Sequence, residues 1–188
     1  MNKWDEYFHE VCVSVGKNTK CFSRQIGAIL VRDKSIISTG YNGPPRGVMP
    51  CNRRCVNDSV LADLLTDKKI HPEEAMYLEK CPRQILGFKS GEGLDLCVAG
   101  HAERNTLINA ARHGIKTKGT TLYMDCGVPC SPCLTEIINA GVIAIVVTKV
   151  EYYDRSAEYL LKESELGYRV FGQEWERRPK DGTSAKRE

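Results

Sequence analysis

Two short stretches of the 188-residue sequence carry side chains that could do chemistry together: His101-Ala102-Glu103 and Pro129-Cys130-Ser131-Pro132-Cys133. Their spacings read H-x-E and P-C-x-x-C. Cysteines three apart share one face of a helix, and the dipole and free N–H groups of a first helical turn favour both sulfurs as thiolates. Thiolate sulfur and imidazole nitrogen are donors that zinc prefers. One His and two Cys supply three ligands and leave the fourth tetrahedral position open, which is how a catalytic zinc differs from a structural one. Such a metal lowers the pKa of bound water from about 15.7 to roughly 7, so a nucleophile exists at neutral pH. Glu103 is then the spare carboxylate, beside the metal and able to carry protons. Alone, C-x-x-C would also suit a redox pair or a structural zinc knuckle. Its coupling to H-x-E turns the reading toward water activation.

For the motifs to meet, each must open a helix at the same end of a sheet. The residues from His101 to His113, closed by Gly114, read as one such helix, and those from about Ser131 to Ala140 as the other. Apolar runs at Thr120–Met124 and Val142–Thr148 flank the second helix, so strand, helix and strand form a βαβ unit with a parallel pair. A further helix near Ser156–Leu166 and a strand at Tyr168–Phe171 extend this theme. Upstream, Trp4, Phe8, Val11, Cys12 and Val15 recur at helical spacing, predicting an amphipathic helix over about 4–17. Two β-rich runs, Ile26–Val31 and Ile36–Thr39, flank the polar tetrad Arg32 to Ser35 as a hairpin. The stretch Gly40 to Gly47 is dense in turn formers and is expected to be an exposed loop continuing neither element. The predicted fold is a three-layer α/β/α sandwich with a central mixed sheet of about five strands. It forms a single domain over 1–188, with a weakly patterned insertion at about 49–96 and a polar, frayed tail at about 177–188.

Composition narrows the partners. The 27 basic and 24 acidic residues give a net charge of +3, far from the concentrated excess of a nucleic-acid or membrane surface. The longest apolar run, Val142–Val147, is too short to span a bilayer, and a soluble cytoplasmic protein is expected. Nine cysteines, an odd count with no secretory signal, favour metal ligation over a disulfide framework. Cys12 and Cys126 read as small packed hydrophobes. His9, His71 and His113 have no second ligand at helical or hairpin spacing and read as packing or surface residues.

The combination of H-x-E with P-C-x-x-C is the established signature of zinc deaminases. This sequence resembles the deoxycytidylate deaminase family within the cytidine deaminase superfamily. The resemblance extends to Cys21-Phe22-Ser23-Arg24-Gln25-Ile26-Gly27-Ala28, to the run from Ile36 to Gly47 that contains Gly40-Tyr41-Asn42-Gly43-Pro44-Pro45-Arg46-Gly47, and to His101–Asn105, covering roughly residues 4–50 and 97–172. It implies hydrolytic deamination of dCMP at C4 to dUMP and ammonia, supplying dUMP for dTMP synthesis, with Zn2+ on His101, Cys130 and Cys133 and Glu103 as the proton carrier. It also implies that Asn42 bonds the deoxyribose and that the Ala102 backbone reads the pyrimidine carbonyl. Tyr153, beyond the last long strand, is a candidate contact for the substrate phosphate. One departure is Val128, which stands before Pro129 where a small polar residue is common. A bifunctional dCMP/dCTP deaminase, a deaminase acting on tRNA or other nucleic acid, and a non-catalytic zinc module are the competing readings.

Regulation and a second metal come from the same resemblance. The family implies homo-oligomers, often hexamers, with dCTP activating and dTTP inhibiting; Gly40, Tyr41, Gly43, Arg46 and Arg112 are candidates for the allosteric nucleotide, and Mg2+ could accompany it. Longer relatives carry a second zinc with one cysteine at the position of Cys21 and another matching Cys51. Five cysteines remain after the others are assigned, so Cys81 and Cys97 are chosen to complete a structural site, with Cys55 as the substitute. A metal cross-link would offset the ordering entropy of a segment that shows little apolar pattern.

Overall fold

The structure, a computed structural model, describes residues 2–179; the remainder of the expected tail, 180–188, lies outside the described residues. By spatial proximity the chain forms two compact units. Of the described residues, one contains 2–18, Ile26–Tyr41 and 101–179, and the other contains Thr19–Gln25 and Asn42–Gly100.

In the first unit a five-stranded sheet has the order β2-β1-β3-β4-β5. Strands β1 (Gly27–Arg32) and β2 (Ser35–Tyr41) form the expected hairpin, turned by Asp33 and Lys34 at φ 48 and 59. A pair of consecutive left-handed residues matches the twist of the flanking strands. β1 also runs antiparallel to β3 (Thr121–Met124), which is parallel to β4 (Ala144–Val147), itself parallel to β5 (Gly167–Val170). Parallel neighbours cannot be joined by a tight turn. Two helices make the crossovers, α7 (Ser131–Asn139) and α8 (Arg155–Glu163).

Alternation along the strands divides the core. Ile29, Val31, Tyr123 and Val146 cluster with Phe8 and Cys12 of α1 (Lys3–Gly16), whereas Ala28, Leu30, Leu122, Met124, Ile145 and Val147 cluster with α6 (Ala102–Arg112), α7 and α8. Successive strand residues point to opposite faces, so helices on both sides bury β3 and β4 completely. Each fully buried large aliphatic side chain contributes about 1.5–3 kcal/mol, making this double burial the principal support of the sheet.

Gly40 and Tyr41 do not belong to a loop, as their composition suggested, but continue β2 opposite Ala28 and Gly27. Packing against α6 explains the glycine. A Cβ on Gly40 would lie 2.3 Å from the Thr106 backbone nitrogen and 2.7 Å from the Ala102 carbonyl oxygen, so only glycine lets α6 settle on the hairpin. Asn105 and Asn109 then donate to the Tyr41 and Thr39 carbonyls, both at 2.8 Å.

A buried ion pair ties the two ends of this unit. Arg169 of β5 donates to both oxygens of Asp5 in α1, at 2.6 and 2.8 Å, and Gly172 N–H donates to the same carboxylate at 2.7 Å. Their side chains are 3% and 1% exposed. Asp5→Ala would strand a buried guanidinium, and we expect it to cost about 3–5 kcal/mol in urea denaturation. A loss within the roughly 0–1 kcal/mol range of exposed pairs would contradict this role. At Arg177, where the frayed tail is expected to begin, the chain is anchored: the arginine side chain donates to the carbonyls of Leu161, Lys162 and Ser164, and its backbone bridges Tyr168.

In the second unit the weakly patterned segment is largely helical: α2 (Cys51–Asn57), α3 (Ser59–Asp67), α4 (Pro72–Tyr77), α5 (Pro82–Ile85) and a 3-10 turn at Leu94–Leu96. Contrary to expectation it has its own apolar cluster, in which Cys55, Leu61, Leu65, Ala75 and Leu86 are buried. Among the described residues no helix is long and apolar enough to cross a membrane.

Candidate active site

Local backbone preferences bring the H-x-E and P-C-x-x-C motifs together within the first unit. His101 and Cys130 occupy the residue just before α6 and α7, each with extended dihedrals, and Pro132 in the first turn of α7 presets the helical φ. Neither side chain caps its own helix. Ser, Thr, Asp or Asn would normally fill such a position, and lacking one costs roughly 0.5–2 kcal/mol. The fold accepts that loss twice at one site, leaving an imidazole and a thiol free to point elsewhere.

They point at each other. His101 Nδ1 lies 3.5 Å from Cys130 Sγ and 3.3 Å from Cys133 Sγ, and Glu103 Oε1 lies 3.8 Å from the same nitrogen. All four donor atoms fall within 4.8 Å of one another, the one such group of His, Cys, Asp or Glu among the described residues. Zinc bonds of about 2.05 Å to nitrogen and 2.3 Å to sulfur at tetrahedral angles would set nitrogen and sulfur about 3.6 Å apart, so the donor set fits zinc. Arg104 and Glu136 brace the two helices through paired contacts of 2.9 and 2.8 Å.

Charge is divided unequally in the metal-free cluster. The Cys130 thiol is pushed down to about 5, chiefly by the hydrogen bond from Cys133 and further by His101, against the opposing effect of burial. Cys133 is pushed up by the same pairing and by burial. His101 is pushed up to about 10 because Cys130 and then Glu103 stabilise its imidazolium. Burial pushes the Glu103 carboxyl up, but contacts with His101, its own backbone N–H and Cys133 more than offset this and hold it below its ordinary value. An imidazolium thus sits between a thiolate and a carboxylate. A divalent cation would displace the protons of His101 and Cys133, as thiolate metal sites do on loading.

The other sequence candidates lie outside this group of four. Ala102 opens α6 with its methyl buried, Arg112 ends that helix exposed, and Tyr153 is exposed on the segment after β4. Asn42, in the second unit, is buried; its Nδ2 donates to the Arg24 carbonyl at 2.8 Å and its own carbonyl accepts from Thr19 Oγ1. Gly43 bridges Gly100, and Arg46 is exposed. The Cys51 thiol is pushed up to about 11, first by burial and then by Cys21, Cys81 and Cys97, which therefore share its neighbourhood. Cys97 is exposed, whereas Cys55 is taken up by the helical core of its unit. His9, read as ordinary, contacts Asp125 at 3.1 Å. Asp154, which the sequence reading missed, accepts from the backbone of Ser131, next to Cys130, at 3.1 Å. An Asp before a helix looks like any cap, and nothing in the sequence reveals a second bond across 23 residues.

Comparison with known proteins agrees with this geometry. A family model described as the cytidine and deoxycytidylate deaminase zinc-binding region matches residues 2–149. Deoxycytidylate deaminase of Schizosaccharomyces pombe is 30% identical over 168 residues, which are 89% of this chain and 44% of that protein, so the chain spans less than half of that relative's length. The deoxycytidylate deaminase of Mycobacterium phage D29 is 29% identical over 151 residues, covering 78% of this chain and 94% of the phage protein. Among solved structures, the dCMP deaminase of cyanophage S-TIM5 in complex with dCMP and dUMP superposes with a TM-score of 0.60 at 19% identity, covering 90% of this chain and 98% of that one, a likeness of fold.

Proposed function

The chain belongs to the cytidine and deoxycytidylate deaminase family, and from that premise we propose that it hydrolyses dCMP to dUMP and ammonia. The observation that carries this reading is the convergence of His101, Cys130, Cys133 and Glu103 within 4.8 Å. His101, Cys130 and Cys133 would hold zinc, which supplies the Lewis acidity that makes water nucleophilic at neutral pH. Glu103 accepts a proton as water attacks C4 and passes it to N3; it then takes the remaining proton from the hydroxyl now on C4 and delivers it to the amine as the C4–N4 bond breaks and the C4 carbonyl forms. Its burial suits this work, because a carboxylate shielded from solvent keeps its protons for the reacting atoms. The fourth donor is a carboxylate rather than another Cys or His, which favours proton transfer over a closed structural site. The Ala102 N–H is proposed for the pyrimidine carbonyl, Asn42 for the deoxyribose and Tyr153 for the phosphate. The bond from Asn42 to Arg24 fixes which way its carboxamide faces.

We also propose a second, structural zinc on Cys21, Cys51, Cys81 and Cys97, a reading that rests on the family resemblance and on the surplus cysteines of the second unit; among the described residues these sulfurs do not converge as the His101 group does. Control by dCTP and dTTP, with Arg46 and Arg112 as phosphate contacts, and a homo-oligomeric assembly extend the same family reading.

Ammonia release from dCMP, dCTP, cytidine and a single-stranded oligonucleotide, measured side by side, tests the substrate. We expect the highest kcat/KM with dCMP. Equal turnover of dCTP would make the activity bifunctional, preference for the oligonucleotide would move it to nucleic acid, and turnover of none would return the zinc centre to a structural role.

A further inference from the structure

Asp154 links two helix starts with one carboxylate. It stands just before α8, where its Oδ1 accepts from Ala157 N–H at 2.7 Å as an ordinary N-cap. Its Oδ2 reaches instead to Ser131 N–H at 3.1 Å, in the first turn of α7. Cys130, which should cap α7, makes no capping bond. Asp154 therefore satisfies, from another element, the Ser131 N–H that opens α7, one of the free donors of a first helical turn, right beside the thiol of Cys130 that faces His101. The carboxyl is held below its ordinary value because bonds from Ser131 and Ala157 outweigh the effect of burial, so it is an ionised, strong acceptor at neutral pH. Asp154 also follows Tyr153 directly.

We propose that Asp154 is a positioning residue for the metal centre: by gripping the backbone of Ser131 it fixes the Cys130 thiolate toward His101 and Cys133 and ties that ligand to the segment carrying Tyr153. The inference rests on the proposed zinc ligands. Partners of this kind orient ligands from outside the coordination sphere, and losing one typically weakens metal binding by roughly 10–100-fold.

Asp154→Ser isolates the effect. Serine remains a good N-cap for α8, but its single short hydroxyl cannot also reach Ser131. In the metal-free protein we expect hydrogen exchange to quicken at the Ser131 amide while Ala157 stays protected. Zinc affinity, measured against a competing chelator, should fall about tenfold or more. In the cobalt-substituted protein the sulfur-to-cobalt absorption should shift. Asp154→Asn, which keeps the shape but loses one acceptor oxygen and the charge, should fall between wild type and Asp154→Ser, and it carries the test if the serine variant does not fold. Zinc affinity and cobalt spectra like those of wild type in a folded variant would overturn the proposal. Cys133→Ala, measured alongside, keeps the two readings apart: if it binds zinc as wild type does, the ligand assignment itself has failed.

Discussion

Glu103→Gln should lower the turnover of dCMP by about 10²–10⁴-fold, the usual contribution of a positioned general acid and base, while zinc stays bound. That loss corresponds to roughly 3–5 kcal/mol of transition-state stabilisation. The amide has nearly the shape of the carboxylate and can still accept hydrogen bonds, but it cannot accept and return a proton. Because Glu103 is buried, bulk water is a poor substitute for it. KM should change much less than kcat, since the missing interaction belongs to the transition state. A folded, zinc-loaded variant that turned over dCMP at near the wild-type rate would remove Glu103 from the chemistry.

Removal of a proposed ligand should act differently. His101→Ala and Cys133→Ala each delete one of three donors, so zinc and activity should disappear together. Metal analysis after removal of loosely bound ions should give about two zinc per subunit for wild type and about one for these variants. Cys51→Ser should also fall to about one, but by losing the structural ion, so that deamination survives in the folded fraction and thermal stability declines. About one zinc in wild type, unchanged in Cys51→Ser, would eliminate the second site. Retention of the catalytic ion in Cys133→Ala would break the ligand assignment.

The candidate cluster was legible in the sequence because the chemistry proposed for it depends on local spacing. His101 and Glu103 are two residues apart, Cys130 and Cys133 three, and each pair needs only a helix start to present it. The sheet was legible for a similar reason, since β4 is a continuous apolar run and β3 carries only one polar residue, Thr121, each bounded by helical patterns. Composition misled at Gly40, where a glycine that looks like a turn signal is instead demanded by the close approach of α6. It misled again between Met49 and Leu96. There the helices are short and broken at Asp58, Pro72 and Pro82, too brief to show a period, although together they bury Leu61, Leu65 and Leu86. Contacts between distant residues were out of reach. Asp5 and Arg169 are separated by 164 positions, and nothing in their neighbourhoods announces a buried pair. Asp154 belongs to the same class: its cap of α8 can be read from one dimension, whereas its hold on Ser131 exists only after β4 brings the two loops side by side.

Isotope transfer examines the central claim most directly. With dCMP, the zinc-loaded protein and water enriched in oxygen-18, the account predicts dUMP whose mass is raised by a single heavy oxygen at C4, released together with ammonia. Recovery of unaltered dCMP, or of dUMP without the label, would contradict hydrolytic deamination by this chain.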